Sequence, residues 1–97
     1  MNIEPELTSS IFGRYELRIR YDGAGERVVR PHAVFRTDTG KVCVHVHEPA
    51  RDGWRVLDIA RMTHPDVLPS RFEPHPDYDP RATLYRHGLI VAVSDGG

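Results

Sequence analysis

The sequence predicts a mainly β protein, a small barrel of about five strands with a short N-terminal helix and a second short helix before the last strand. Two observations carry this. Residues 15–21 and 42–47 alternate apolar and polar side chains with a period of two, and turn residues recur about every dozen positions. Successive side chains on a strand point to opposite faces, so such alternation marks a strand with one face against a core.

The first element is helical. Pro5 suits a first helical turn, Leu7 and Ile11 stand four apart, and Gly13 supplies a stop, which predicts a brief helix from Glu4 to Phe12. From Arg14 the period becomes two. Tyr15, Leu17, Ile19 and Tyr21 share one face and Arg14, Glu16, Arg18 and Arg20 the other. Asp22-Gly23-Ala24-Gly25 is a turn, and a second strand runs from Arg27 to Phe35. Pro31 lacks an N–H, so it demands an edge or a bulge there. After the Thr37-Asp38-Thr39-Gly40 turn, Val42, Val44 and Val46 alternate with Cys43, His45 and His47 in a third strand. Pro49 to Gly53 is a loop, and Trp54 to Met62 reads as a fourth strand. A meander of this kind must curl to bury its edges.

Five prolines between Pro65 and Pro80 then predict an extended segment with little regular structure. Asp79 as N-cap, Pro80 behind it and Gly88 beyond the end predict one or two helical turns. Leu89 to Val93 is continuously apolar, which predicts a final strand buried on both faces and bounded by Ser94–Gly97. The organisation is one domain over 1–97: helix 1–13, four-strand meander 14–62, proline-rich segment 63–80, short helix and last strand 81–97. Ninety-seven residues are too few for two cores.

With 39% hydrophobic and 28% charged residues the chain has a globular composition. Its net charge of −1 speaks against a protein that coats nucleic acid with its whole surface. The charge is unevenly spread. Six arginines between Arg14 and Arg36 face three acids, whereas Asp66, Glu73, Asp77 and Asp79 leave the region from 66 to 79 acidic. Twelve of the thirteen basic residues are arginine, a bias that a GC-rich genome explains as readily as bidentate anion recognition. A single cysteine excludes an internal disulfide framework. MNIEPELTSS lacks a basic segment followed by an apolar run, and Leu89–Val93 is too short to cross a bilayer, so a cytoplasmic protein with no membrane partner is expected.

His45 and His47 share a strand face, the spacing of a strand-borne metal pair. No third ligand is identified among His32, His64, Asp58 and Cys43, so network-bonded or solvated histidines are expected, with no metal and no cofactor. Cys43 lacks the oxyanion turn and acid-flanked histidine of a nucleophile, and an isolated Asp38-Thr39-Gly40 is a turn rather than a protease half-site. An enzyme is not expected. Trp54, Tyr78 and Tyr85 are the aromatic groups available for stacking, with packing of Trp54 over the barrel end as the expected role.

The stretch RIRYDGAGERVVRPHAVFRTDTGKVCVHVHE, then GWRVLDIARM and RFEPHPDYDP, resembles the WYL domain. That is a bacterial ligand-binding module with an Sm-like or SH3-like barrel, usually placed behind a DNA-binding helix-turn-helix. The resemblance spans about residues 5–80 and rests on Ile19-Arg20-Tyr21, on Arg27-Val28-Val29-x-Pro31, on Arg61-Met62 and on Phe72. The Trp-Tyr-Leu triplet falls on Val42-Cys43-Val44, and the acid–arginine pairing becomes Ala60-Arg61. With thirteen residues before the first strand, no helix-turn-helix is expected in the chain as it stands. The resemblance implies that Arg27 and Arg61, both on strands, face an anionic ligand with a polar residue of the third strand. Cys43 takes the place of the family's pocket tyrosine, His45 is the polar neighbour, and Arg30 belongs to the same arginine patch. The expected ligand is an anionic small molecule, a nucleotide or a short nucleic acid. The alternative is a protein-interaction module or scaffold, joined to a partner or to a second copy through a free sheet edge.

Overall fold

The computed structural model describes residues 3–93, and over these the protein is mainly β, with six antiparallel strands, one α-helix and three short 3-10 turns. Helix α1 (Glu4–Gly13) turns Leu7, Ser10 and Ile11 inward, with Pro5 in its first turn. It ends one residue beyond the expected Phe12. The left-handed residue of its C-cap is Arg14 (φ 57°) rather than Gly13. Gly13 is needed for another reason: a Cβ there would overlap the ring of Tyr15. That ring lies beneath the Arg71 guanidinium, 5.4 Å from its centroid, and Arg71 Nε donates to the Gly13 carbonyl at 3.1 Å.

Strand β1 (Tyr15–Tyr21) buries Leu17 and Ile19 and exposes Arg18 and Arg20, as its alternation predicts. Strand β2 (Glu26–Arg36) is the longest. Its first residues pair with β1, while Arg30–Arg36 pair with β3 (Val42–Glu48). Of the edge or bulge that Pro31 demands, the structure has the bulge: Pro31 opposes Val46 and Ala33 opposes His45, which leaves His32 as the extra residue. Strand β4 (Gly53–Asp58) pairs with β3. The fourth strand is shorter than expected because Asp58 Oδ1 accepts from the Ala60 N–H at 3.0 Å, and this cap starts a 3-10 turn over Ile59–Arg61. Arg61 is therefore on a turn, not on a strand.

The proline-rich segment departs most from expectation. Its first half is a strand, β5 (Met62–Arg71), paired antiparallel to β1 at the end of the sheet path β4-β3-β2-β1-β5. Pro65 and Pro69 are tolerated because an edge strand needs donors on one side only, and because both lie where the register slips against β1. Strand β6 (Leu89–Ala92) lies along β2 on the side opposite β3. It was expected to be buried on both faces, yet Leu89 is 38% and Ile90 47% exposed, since β6 has β2 as its one strand partner among the described residues. The expected helix before it is reduced to a 3-10 turn, Thr83–Tyr85. Asp79 makes a local turn instead of a helix cap: its Oδ1 accepts from Arg81 N–H and its carbonyl from Ala82 N–H. The bounding Ser94–Gly97 lies outside the described residues.

The main core lies between α1 and the concave side of the sheet, where Leu7, Ile11, Leu17, Ile19, Val44 and Val46 are almost fully buried. A second cluster of Ala33, Phe35, Cys43 and Tyr85 lies on the other face of β2 and β3. Among the described residues no helix is long and apolar enough to cross a membrane.

Gly13→Ala should cost about 1–3 kcal/mol through overlap with the Tyr15 ring. Gly25→Ala, with open space around its Cβ and no positive φ, should stay within about 0.5 kcal/mol of wild type. Urea unfolding of the two variants checks the contrast.

Candidate functional site

The residues singled out from sequence fall in three places. Arg27 and Arg61 gather at one end of the sheet around the corner formed by Tyr21 and Asp22. Arg27 pairs across β2 with Ile19, and its guanidinium carbon lies 5.7 Å from the centroid of the Tyr21 ring. The Tyr21 hydroxyl accepts the Asp58 N–H at 3.0 Å, which fixes the ring. Arg61 reaches the same corner from its 3-10 turn, with Nη1 3.5 Å from Asp22 Oδ2, and its carbonyl accepts the Asp22 N–H at 3.0 Å. Among the described residues no carboxylate lies within ion-pair distance of Arg27. Beside this corner, on the outer face of β1, Arg18 contacts both Glu26 and Asp66, and Arg20 reaches Glu26 at 4.0 Å. These half-exposed pairs contribute little to stability.

Arg30 stands apart. Its Nε lies 2.8 Å from Glu16 Oε2, and the other oxygen of that carboxylate accepts the Ser70 hydroxyl at 2.7 Å. Burial pushes the Glu16 carboxyl up, but the Ser70 and Arg30 hydrogen bonds and the Arg30 charge outweigh it and hold the group below its ordinary value.

Cys43 and His45 occupy a third place, the outer face of β3, which a segment of the chain covers. This strap runs from Phe72 to Gly88 and brings His75, Tyr78 and Tyr85 over β2, β3 and β4. His45 Nδ1 and the Tyr85 hydroxyl are 2.7 Å apart, and Trp54, opposite His47 on β4, stacks on the His45 ring at 4.4 Å between centroids. Burial lowers the His45 pKa and raises that of Tyr85, so the pair is neutral: a phenol beside an imidazole. Cys43 is buried, and desolvation followed by the charge of Asp58 raises its thiol pKa, with Lys41 opposing. That is the reverse of an activated nucleophile.

His32 completes this layer. It is fully buried, its Nδ1 lies 2.7 Å from the Arg30 carbonyl, and its Nε2 accepts the His75 backbone N–H at 3.0 Å. Since an amide can only donate, Nε2 is unprotonated and Nδ1 carries the hydrogen. Desolvation, with the neighbouring histidines adding to it, lowers the His32 pKa to about 4. His47 and His75 stack at 4.6 Å, and His47 Nε2 lies 3.4 Å from Asp52. Among the described residues no three His, Cys, Asp or Glu groups are placed to hold a metal ion.

The structure thus joins Arg27 to Arg61 and Cys43 to His45, and separates both pairs from Arg30. Sequence reasoning missed Tyr21 and Asp22 as the floor of the arginine corner and His75 as a partner of His32. The one signal for Tyr21 was its place on the inward face of β1, diagonal to Arg27.

Among solved structures the fold resembles part of proteasome accessory factor B/C (PafBC) of Arthrobacter aurescens, with a TM-score of 0.69 and 24% identity. The match covers 80% of this chain and 13% of that one, so this chain corresponds to about an eighth of the other protein, and the likeness is one of fold. No protein-family model and no curated protein matches the sequence.

Two outcomes follow from the covered face. Iodoacetamide at pH 8 should modify Cys43 at least about tenfold more slowly in the native protein than in urea. Tyr85→Phe should cost roughly 1–2 kcal/mol, because it strips the partner from His45 Nδ1 in a partly buried site, and chemical denaturation measures that loss.

Proposed function

We propose that this chain is a non-catalytic, regulatory ligand-binding domain of the WYL type, and that its ligand is anionic, a nucleotide or a short nucleic acid. The observation that carries the reading is the Tyr21–Asp22 corner. Two arginines from separate elements converge on it, one of them without a carboxylate partner among the described residues and stacked on an aromatic ring. A planar guanidinium presents two parallel donors to phosphate oxygens, and a tyrosine face beside it suits a base or sugar. The Asp22 contact to Arg61 is exposed and weak, so an incoming phosphate displaces it at little cost. Arg30, satisfied by Glu16, and Cys43 and His45, beneath the strap, then serve the structure rather than the ligand. The motif resemblance and the fold shared with part of PafBC support the same reading.

A second reading, a protein-interaction module, draws on β6. Its second edge has no strand partner among the described residues, Leu89 and Ile90 are exposed, and Ile90 and Val91 border a cleft of about 180 Å³ between α1 and the sheet.

Thermal unfolding with mono-, di- and cyclic nucleotides and short single strands decides between them. A ligand at a hundredfold excess over its Kd adds about 2.7 kcal/mol, a rise of roughly 13 °C for a domain of this size. Arg27→Ala and Arg61→Ala should each remove most of that rise while moving the ligand-free midpoint by no more than about 3 °C. A flat panel together with concentration-dependent sedimentation would favour the β6 reading.

A further inference from the structure

The strap over β2, β3 and β4 is anchored by backbone hydrogen bonds at its two ends: Phe72 N–H donates to Arg14 O at 2.8 Å, and Arg36 N–H donates to Gly88 O at 2.9 Å. Between these anchors several of its attachments run through histidines. His75 N–H donates to His32 Nε2, Tyr85 bonds His45, and the rings of His75 and His47 stack. We propose that residues 73–87 form an acid-released strap: entry of a proton at His32 Nε2 and the hydrogen bond that holds the strap there are mutually exclusive.

The exclusion is geometric. Nδ1 of His32 is already committed to the Arg30 carbonyl, so an added proton has only Nε2 to occupy, where it meets the His75 N–H head-on. No solvent route avoids this, because His32 is 0% exposed and enclosed by the rings of Trp54, Phe72 and Tyr78. The surroundings act in the same direction. His45 and His47 from β3 and His75 from the strap face His32 and lower its pKa further. Among the described residues buried His47 Nδ1 has no hydrogen-bond partner. The acids nearby are peripheral: Asp52 beside His47 and Asp77 beside His75 are 94% and 78% exposed, and Asp79 acts on Tyr85. They accompany the outer histidines and leave His32 without a counter-charge.

The direction follows from linkage. His32 titrates at about 4 under the strap and at the ordinary 6.5 once released, so release takes up a proton. The closed state is favoured fully above pH 6.5, and its advantage disappears as the pH falls from 6.5 to 4. From pH 7 to pH 5 the opening equilibrium should rise on the order of twentyfold through His32 alone. Release uncovers Phe35, Cys43 and His45, an aromatic and apolar face otherwise closed to partners.

The test is amide exchange, corrected for the intrinsic effect of pH, alongside the emission of Trp54, the single tryptophan, which packs on His32, His45, His47 and His75. Amides of 73–87 should lose protection about twentyfold between pH 7 and pH 5 while those of β1 to β3 keep theirs, and Trp54 emission should follow the same curve. His32→Gln retains a donor and an acceptor without titrating, and should flatten the response. Should that variant fail to fold, the imidazole nitrogen signals of wild-type His32 must change in step with strap exchange. Equal loss of protection in strap and sheet, a strap unchanged at pH 5, or a response that persists in His32→Gln would each overturn the proposal.

Discussion

Strand β2 holds two halves of the sheet together, and it does so because one residue is left out of its ladder. Pro31 cannot donate, the pairing with β3 skips His32, and the strand bends there. Before the bend β2 pairs with β1, and through β1 with β5. After it β2 pairs with β3 on one side and β6 on the other. A straight strand of eleven residues would leave β1 and β3 in one flat sheet without a concave side for α1. The bulge also decides where the His32 side chain goes. Its two ring nitrogens link β2 to the strap, and its own carbonyl accepts the Val93 N–H at 2.7 Å, beside the pairing of β6.

The bend has a consequence for β3. Its valines meet the main core, as alternation requires, but its other face does not reach water. The strap lays Tyr78 and Tyr85 over Cys43 and His45 and stacks His75 on His47, which is 6% exposed. His32 and His45, enclosed in this layer, are held toward the neutral form because desolvation penalises the charged one. The layer is held by rings and by hydrogen bonds from imidazole nitrogens rather than by ion pairs. A polar residue at an outward strand position is thus a structural member whenever a later segment folds back across it.

The arginines divide along similar lines. Arg18, Arg20, Arg30 and Arg61 each meet a carboxylate on a neighbouring element, which is what an arginine-rich composition produces on a sheet of mixed charge. Arg27 does not. It sits at the open end of the concave face, above Tyr21, at a strand position that otherwise carries apolar residues such as Val29. That position, more than the abundance of arginine, is what the proposed binding role rests on.

Much of the fold was legible in the residues themselves. The period of two along 15–21 and 42–47, the glycine turns, the Leu7–Ile11 spacing and the edge or bulge required by Pro31 are local properties, set by side-chain direction and by a missing N–H, and they determined the mainly β class, the helix and the first three strands. What the residues alone could not settle depended on what lies opposite. Prolines 65 and 69 read as breakers, yet β5 is a strand because β1 offers it one edge. Leu89–Ala92 is apolar enough for a core but is left half-exposed, because one neighbour covers one side. Cys43 and His45 alternate like surface residues and are enclosed by a segment thirty to forty residues away in the chain. Arg27 and Arg61 meet at one corner because the 3-10 turn at Ile59–Arg61 carries the chain back to Asp22. Local sequence sets which way a side chain points along its own strand; whether water, a ring or a charge waits there is decided by tertiary packing.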